Sequence, residues 1–408
     1  MTNLPESWRE VALEDVAEIV MGQSPPSSAY NESGMGTPFF QGKAEFGDKY
    51  PTVKKWTTAG SKRAFAGDIL MSVRAPVGPT NLANVDCVIG RGLAAIRAGS
   101  LTNQTFLLWV LRSLESEIAS RGVGTTFSAI SGEELRTTQL PLPLLDEQER
   151  IVEILEEQLS RLESALASIR AVREKAAAFR RSLLHSAFSG QLTGGDEEWS
   201  EALLGDSLEL LIDHRGKTPK KLGGDFTGSG VRVISAVHIK KGKVKFDERD
   251  RFVTEEMYLR WMPQRIHRGD VLLTSEAPLG SVAQVETDEP LVLSQRLFCL
   301  RTKPAWMTNT FLRYFLASPD GQARLRGRSS GTTVTGIRQS ELIRVKAPVP
   351  PLAIQDRIVS ILEEQFSRLD NALEITNQLE ARIASERRSL LHAAFTGELT
   401  VKWREAHV

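Results

Sequence analysis

The stretches QERIVEILEEQLSRLESAL (residues 148–166) and QDRIVSILEEQFSRLDNAL (residues 355–373) are near copies of each other. Both continue to similar ends, RRSLLHSAFSGQLT (180–193) and RRSLLHAAFTGELT (387–400). The offset from Gln148 to Gln355 is 207 residues, and the offset from Arg180 to Arg387 is the same, so neither copy carries an insertion. A repeat of this length is the first constraint on the fold.

Each copy has the residue spacing of one long helix. Apolar residues recur at steps of three and four, at Leu155, Leu159, Leu162, Leu166, Ile169, Val172, Ala176, Phe179 and Leu183 in the first copy and at Leu362, Phe366, Leu369, Leu373, Leu379, Ile383 and Leu390 in the second. Such a seam is typical of a coiled coil. Asp146 is predicted to cap the first helix, and Gly190 to follow its end. A helix over 146–188 would be about 65 Å long at roughly 1.5 Å per residue, too long for one small domain to bury.

Charge predicts how the two helices pair. The first helix begins with acidic residues and ends with basic ones, and the second has Glu363 and Glu364 early and Arg387 and Arg388 late. An antiparallel pair places acidic ends beside basic ends, whereas a parallel pair places like charges together. We therefore expect an antiparallel coiled coil with pseudo-two-fold symmetry. The alternative is that each helix packs only on its own globular domain.

The rest of the chain repeats a second plan with lower identity. GDILMSVRAPVG (67–78) matches GDVLLTSEAPLG (269–280), and GTTFSAISGEEL (124–135) matches GTTVTGIRQSEL (331–342). Short apolar runs between Gly, Pro and Asn predict short strands, and residues 103–119 predict a helix. The organisation predicted is a globular domain (1–145), a long helix (146–193), a second globular domain (194–351), a second long helix (352–400) and a tail (401–408). Because the tail resembles the linker that enters the second domain, we expect it near the start of the chain, in a circular arrangement.

Composition limits the class of protein. The 408 residues are 41% hydrophobic and 25% charged, which fits two or three globular domains, and no apolar run has the length of a membrane span. The N-terminus does not have the pattern of a signal peptide, and two cysteines are too few for a disulfide framework, so we expect a cytoplasmic protein. The formal net charge is zero, so nucleic-acid binding would have to depend on local basic patches.

The sequence predicts no catalytic centre. GKT at 216–218 lacks the upstream glycine of a phosphate-binding loop, because position 211 is Leu211. SPPS at 24–27 resembles a motif of amino-methyltransferases, but Ser27 stands where that motif needs an aromatic residue. The six histidines do not have the spacing of a metal site. We therefore expect no catalytic residue, no metal and no cofactor in this chain.

Both globular domains carry polar, glycine-rich loops with cations. Lys and Arg suit phosphates, and Arg and Gln also read base edges, although such runs are often only solvated surface. Arg74 aligns with Glu276, so the domains are expected to bind two different ligands of one class, such as unlike half-sites on one DNA duplex. The candidate DNA-binding residues are Gln41, Lys43, Arg74, Arg91 and Thr125 in the first domain and Arg215, Lys217, His238, Gln295, Arg296 and Thr332 in the second.

These motifs resemble the DNA-specificity subunit of type I restriction–modification enzymes over essentially the whole chain. The resemblance is carried by GDILMSVRAPVG, GRGLAAIR, HRGKTPK, GDVLLTSEAPLG with SQRLF, and the twin RRSLLHxAFxGxLT endings. It implies an α+β chain with two mixed α/β target-recognition domains, each reading one half of a bipartite DNA site from the major groove. The two long helices would separate these domains.

The resemblance also implies partners. The helices would bind two methyltransferase subunits, and a restriction subunit can join that complex. The specificity subunit has no catalytic centre, so S-adenosylmethionine, ATP and magnesium would be bound by the partner subunits. The candidate partner-binding residues are Glu156, Gln158, Arg161, Glu363, Gln365 and Arg368. Two alternatives are a coiled-coil adaptor that does not read DNA and a nuclease or methyltransferase with a hidden site.

Overall fold

The computed structural model describes residues 4–122, 129–194, 199–240, 242–246, 250–331 and 335–407. The chain forms two compact units. The first unit contains Met1–Ile169 and Gln378–Val408, and the second is the continuous stretch Arg170–Asn377. Each unit therefore combines one globular domain with parts of both long helices. Within the described ranges, no helix combines the length and the apolar character that a membrane span requires.

The first unit is built on short strands joined by turns. Its strands are β1 (Arg9–Ala12), β2 (Ala17–Met21), β3 (Tyr30–Asn31), β4 (Thr37–Phe40), β5 (Trp56–Thr57), β6 (Arg63–Ala64), β7 (Ile69–Ser72), β8 (Thr80–Leu82), β9 (Cys87–Ile89), β10 (Leu93–Ala98) and β11 (Gln139–Leu142). Its helices are α1 (Leu13–Val16), α2 (Gln104–Ser113), α3 (Glu115–Ser120), α4 (Gly132–Arg136) and the first part of α5 (Leu145–Phe188). The helix predicted over 103–119 is thus broken at Leu114, and Asn103 caps α2 by accepting the N–H groups of Thr105 and Phe106 at 2.9 and 3.1 Å.

The second unit follows the same order with additions. Its strands are β12 (Ser200–Leu203), β13 (Leu208–Asp213), β14 (Val231–Ile234), β15 (Ile239–Lys240), β16 (Lys243–Val244), β17 (Arg251–Val253), β18 (Val271–Thr274), β19 (Val282–Gln284), β20 (Leu291–Leu293), β21 (Leu297–Thr302) and β22 (Lys346–Val349). Its helices are α6 (Leu204–Ser207), α7 (Glu255–Trp261), α8 (Asn309–Ala317), α9 (Pro319–Gly327), α10 (Gln339–Leu342) and the first part of α11 (Leu352–Thr396). The tail forms α12 (Val401–His407) in the first unit.

The two globular domains share one sheet plan. A four-stranded antiparallel sheet has the order β2-β10-β7-β8 in the first unit and β13-β21-β18-β19 in the second. Beside it, one parallel pair recurs, β4 with β9 and β14 with β20. The buried apolar side chains of β7 and β10, such as Ile69 and Ile96, pack against α2. The predicted repeat of an α+β domain is therefore confirmed at the level of strand order.

The ends of the long helices agree with the sequence except at one cap. The helix α5 begins at Leu145, so Asp146 lies inside the first turn and the prediction that it caps the helix is wrong. The segment 146–193 also extends past the helix, which ends at Phe188 because Gly190 adopts a positive φ of 80°. Gly397 turns the chain in the same way after α11, with a φ of 84°.

The helices run antiparallel, as predicted. In the second unit, Arg180 of α5 donates to Asp370 of α11 at 2.7 Å, and Arg173 donates to Asn377 at 2.8 Å. Moving seven residues back along α5 thus moves the contact seven residues forward along α11. Some charges pair within their own helix, as where Glu157 accepts a hydrogen bond from Arg161 one turn later at 2.6 Å.

The alternative packing, of each helix on its own domain, also occurs. In the first unit, Leu155 and Leu159 of α5 belong to the core that contains Phe106 of α2, and the end of α11 adds Phe395, whose ring lies 5.8 Å from that of Phe106. In the second unit, Phe188 at the end of α5 lies 5.2 Å from Phe311 of α8. Each globular domain therefore packs on the start of one long helix and the end of the other.

Three residues predicted for the apolar seam are exposed. Val172 is 44% exposed, Phe179 is 47% exposed and Leu379 is 45% exposed. Ile169 and Ala176 on α5 are buried, at 6% each. Spacing alone therefore overestimated the width of the buried face near the middle of the helices.

A buried glutamine anchors the first turn of each long helix. Gln148 and Gln355 are fully buried. The Gln148 amide accepts the N–H of Asn103 at 2.8 Å and donates to the carbonyls of Leu101 and Pro143 at 3.0 and 2.9 Å. The Gln355 amide repeats this, accepting from Thr308 and donating to the carbonyls of Trp306 and Pro350 at 3.0, 2.8 and 2.9 Å. These bonds tie each helix to the loop that precedes α2 or α8.

The tail packs beside the start of the chain, within the first unit. Glu147 is buried and accepts hydrogen bonds from Trp8 Nε1 at 2.9 Å and from Thr400 Oγ1 at 2.6 Å. Arg404 of α12 donates to the same carboxylate through Nε and Nη2, at 3.0 and 2.9 Å. Gly397 lies against Pro5, and a Cβ at position 397 would come within 2.3 Å of the proline ring.

Candidate nucleic-acid interface

Three strand ends meet at one cleft in the first unit. The strands β4 and β9 are parallel neighbours, so Gln41 and Arg91, which follow them, emerge on the same side. The N–H of Gly90 bonds to the carbonyl of Phe40 at 2.8 Å, and the N–H of Val73, after β7, bonds to the carbonyl of Gly92 at 2.9 Å. The resulting first cleft has a volume of about 270 Å³ and is lined by Ser24, Gln41, Gly42, Lys43, Ser72, Arg74, Ala75, Arg91 and Gly92.

The first cleft presents unpaired cations on a rigid base. Lys43, Arg74 and Arg91 are exposed, and within the described parts of the chain none of them forms an ion pair. The loop that carries Arg91 is closely packed, because a Cβ at Gly92 would lie 2.3 Å from the carbonyl oxygen of Gln41. Cations held in this way on an open surface are suited to phosphate oxygens or to the acceptor edge of guanine.

The structure places four first-domain candidates at one cleft, and their contact with DNA stays a prediction. Gln41, Lys43, Arg74 and Arg91 all line the first cleft. Thr125 lies outside the described residues. The described part of its loop reaches the cleft, because Ala129 forms a bridge with Arg74 and the N–H of Ile130 bonds to the carbonyl of Val73 at 3.0 Å.

The second unit has a larger cleft at the equivalent place. The strands β14 and β20 are parallel, and the N–H of Ser294 bonds to the carbonyl of Ile234 at 2.9 Å. The second cleft has a volume of about 690 Å³. It is lined by Lys217, Thr218, Pro219, Lys220, Asp225, Phe226, Val233, Ser235, Ala236, Val237, His238, Arg251, Trp261, Ala277, Ser294, Gln295 and Arg296.

Two side chains of the second cleft have polar partners within the protein. Gln295 donates its amide to the carbonyl of Lys217 at 2.8 Å. Arg296 lies 3.1 Å from Glu276, measured from Nε to Oε1. The two clefts thus share their position on the sheet but differ in their chemistry.

Two second-domain candidates have structural contacts that change their expected role. Arg215 donates through Nη2 to the carbonyl of Ile337 at 2.7 Å, so its guanidinium fastens a neighbouring loop and does not line the cleft. His238 is only 2% exposed, and its Nδ1 accepts the N–H of Ser235 at 3.1 Å. Its Nε2 lies 3.6 Å from Asp250. We therefore revise His238 from a base-reading residue to a support of the cleft wall. Thr332 lies outside the described residues.

Sequence reasoning missed several residues of the second cleft. Trp261 lies on α7, a helix without an equivalent among the described elements of the first unit. Arg251 lies on β17, which pairs with β14 as β5 pairs with β4, but the two strands differ in sequence and gave no repeated motif. His214 lies in the HRGKTPK motif but was not among the candidate site residues. Its Nδ1 lies 3.2 Å from the carbonyl of Leu293, and burial, reinforced by the charge of Lys217, lowers the pKa of His214. The imidazole is therefore neutral at pH 7 and donates this bond, which holds the loop carrying Lys217.

The candidate partner-binding residues lie along the two long helices and are exposed or half-buried. Glu156 is exposed, and Gln158 is half-buried beside a cavity of about 510 Å³ between α5 and α11. Arg161 and Arg368 are 66% and 70% exposed and pair with Glu157 and Glu364 of their own helices. Glu363 lies 3.7 Å from Arg313, and Gln365 is half-buried.

No cluster of metal-binding side chains is present among the residues that the structure describes. No group of three or more His, Cys, Asp or Glu side chains there could hold a metal ion. Both cysteines are buried, and burial raises the pKa of the Cys87 thiol to about 12. A thiol with that pKa is protonated at neutral pH and is a poor nucleophile.

The chain is similar to known specificity subunits. It is 23% identical over 427 residues to the type I restriction enzyme EcoBI specificity subunit of Escherichia coli, covering 99% of this chain and 89% of that protein. A shorter match, 44% identical over 155 residues, is to the putative type I restriction enzyme MjaX specificity subunit of Methanocaldococcus jannaschii and covers 37% of this chain and 36% of that protein.

Solved structures share the fold. A chain from a structural study of complex assembly and conformational transition of the type I R-M system superposes with a TM-score of 0.77 at 20% identity, covering 96% of this chain and 98% of that one. The HsdS subunit from Thermoanaerobacter tengcongensis superposes with a TM-score of 0.58 at 20% identity, covering 97% and 98%. The family model described as the type I restriction modification DNA specificity domain matches residues 5–168 and 196–385. This chain therefore belongs to the type I restriction–modification DNA-specificity family.

Proposed function

We propose that this chain selects the DNA sequence on which a type I restriction–modification complex acts. The first cleft would read one half of a bipartite site and the second cleft the other half. One observation carries the proposal. Both units bring the ends of three equivalent strands to a cation-bearing cleft, and the side chains of the two clefts differ. A shared backbone arrangement that carries different side chains is suited to binding two different half-sites.

The long helices would serve the same task. They are the best conserved part of the internal repeat, and they carry exposed polar residues such as Arg161 and Arg368 that no globular domain covers. We infer that these faces bind two methyltransferase subunits. S-adenosylmethionine, ATP and magnesium would then belong to the partner subunits, and the present chain would contribute recognition without catalysis.

A binding selection tests the proposal. The full-length chain, together with the modification subunit of its own system, is incubated with a pool of random duplexes, and the bound DNA is sequenced. We expect two short blocks of fixed sequence separated by a constant number of unselected base pairs. Flat enrichment would favour the coiled-coil adaptor. Methylation or cleavage of DNA by the purified chain alone would contradict the non-catalytic assignment.

Removing one cation from each cleft should affect different halves of the motif. We expect Arg74→Ala to relax the preference in one block and Arg296→Ala to relax it in the other, by about 1–3 kcal/mol for each lost bidentate contact with a base. The measurement is the base preference at every motif position in the same selection.

The control for this prediction is Arg9→Ala. Arg9 is an exposed cation of β1 that does not line the first cleft, so its removal should leave both blocks unchanged. Equal weakening on all sequences, with a smaller dependence of affinity on salt, would instead identify Arg74 or Arg296 as a phosphate contact.

A further inference from the structure

The equivalent residues that follow β7 and β18 of the two four-stranded sheets differ in charge between the units. Arg74 lies two residues after β7, and Glu276 lies two residues after β18. Each forms an antiparallel bridge with the same repeated loop, Arg74 with Ala129 and Glu276 with Gly336. The hydrogen bond beside each bridge also repeats. The N–H of Ile130 donates to the carbonyl of Val73 at 3.0 Å, and the N–H of Ile337 donates to the carbonyl of Ser275 at 2.9 Å. The backbone therefore places these two side chains equivalently.

The Glu276 side chain is held in position with one oxygen available. The Nε of Arg296 lies 3.1 Å from Oε1 of Glu276. Arg296 lines the second cleft, and so does Ala277, the residue that follows Glu276. Gly336 leaves room beside the side chain, because a Cβ there would lie 3.2 Å from the Cβ of Glu276. Among the described residues, none donates a hydrogen bond to Oε2. The Glu276 side chain is 38% exposed, so a ligand can reach it.

The charge of Glu276 decides which part of DNA it would meet. A carboxylate is repelled by the phosphate backbone, whereas an arginine can contact either phosphate or base. In the major groove, a carboxylate accepts from an exocyclic amino group, N4 of cytosine or N6 of adenine. Arginine at the equivalent place donates to O6 and N7 of guanine. Arg296 offsets the negative charge of Glu276 near the duplex.

We propose that Glu276 and Arg74 are equivalent specificity-determining residues of opposite polarity. Glu276 reads a base with an amino group in the half-site of the second unit, and Arg74 reads guanine in the half-site of the first. This inference rests on the proposed function and adds to it the chemical class of one base in each half-site.

The test is the same selection from random duplexes, applied to the full-length chain in its complex. With Glu276→Ala, we expect the preference for cytosine or adenine at one position of one block to fall by about tenfold, while affinity for random duplex is unchanged or higher because a negative charge is lost. Glu276→Arg should move the preference at that position toward guanine. Arg74→Glu should make the reciprocal change in the other block.

A matched control is Glu289→Gln, which alters an exposed carboxylate in the loop between β19 and β20 and should change no position. If the wild-type chain enriches a split motif but Glu276→Ala leaves every position unchanged, or weakens all sequences equally, this inference is wrong and the proposed function stands. If the wild-type chain enriches no motif, both are wrong.

Discussion

Replacing Gln148 with leucine should lower the free energy of unfolding of the first unit by roughly 3 kcal/mol, because one buried and two partly buried backbone groups would each lose their partner at about 1 kcal/mol. The groups are the N–H of Asn103 and the carbonyls of Leu101 and Pro143. Leucine has a similar size and a high helix propensity, so the loss would come from the hydrogen bonds and not from the helix itself. Gln355→Leu should have the same effect on the second unit, through Thr308, Trp306 and Pro350.

Amide hydrogen exchange, followed separately for the two units, is the appropriate measurement because a two-unit chain need not unfold in one step. We expect faster exchange in α2 for Gln148→Leu and in α8 for Gln355→Leu. Glu149→Gln is the control, since Glu149 is an exposed neighbour on the same helix and its change should cost less than about 0.5 kcal/mol. Protection equal to that of the wild type would show that the loops satisfy these groups without the glutamine.

Removing the guanidinium of Arg404 should destabilise the first unit by about 3–5 kcal/mol, the usual cost of breaking a buried ion pair from one side. The Glu147 side chain is 3% exposed, and its carboxylate accepts hydrogen bonds from both Nε and Nη2 of Arg404. In Arg404→Ala that carboxylate would keep only the donors Trp8 and Thr400 among its described partners. A buried charge with fewer donors raises the free energy of the folded state.

Two variants sharpen this second prediction. Arg404→Lys keeps the charge but cannot donate through two adjacent nitrogens, so we expect a loss between those of the wild type and Arg404→Ala. Glu405→Ala, in the same helix but exposed, should be nearly neutral. Chemical denaturation measures the free energy of unfolding of each variant, and amide hydrogen exchange in β1 reports the local loss of stability. An Arg404→Ala chain as stable as Glu405→Ala would mean that water replaces the guanidinium.

Repetition made much of this fold predictable. Two matching stretches with helical spacing indicated two long helices, and their charge distribution indicated the antiparallel direction that the Arg180–Asp370 and Arg173–Asn377 contacts confirm. Periodicity records which residues are apolar but not what covers them. For that reason Phe179 and Leu379 were assigned to the seam although they are exposed.

The candidate sites were predictable where position follows from strand order. Gln41 and Arg91 follow β4 and β9, which are parallel neighbours, and Arg74 follows β7 of the four-stranded sheet; all three line the first cleft. Pairwise contacts across the chain were not predictable. Arg215 donates to the carbonyl of Ile337, more than a hundred residues away in the sequence. The spacing of the residues around Arg215 does not indicate that bond. Gln148 appeared in the repeated motif, but its burial became visible only with the loop before α2.

The chain segments that form the two units also determine which unit is completed first during protein synthesis. The second unit is one uninterrupted stretch, Arg170–Asn377, whereas the first is completed only by Gln378–Val408. A ribosome therefore releases every residue of the second unit before it supplies Arg404, the partner of Glu147. The first unit is therefore the first to be started and the last to be completed. Until Arg404 is synthesised, the Glu147 carboxylate lacks its ion-pair partner.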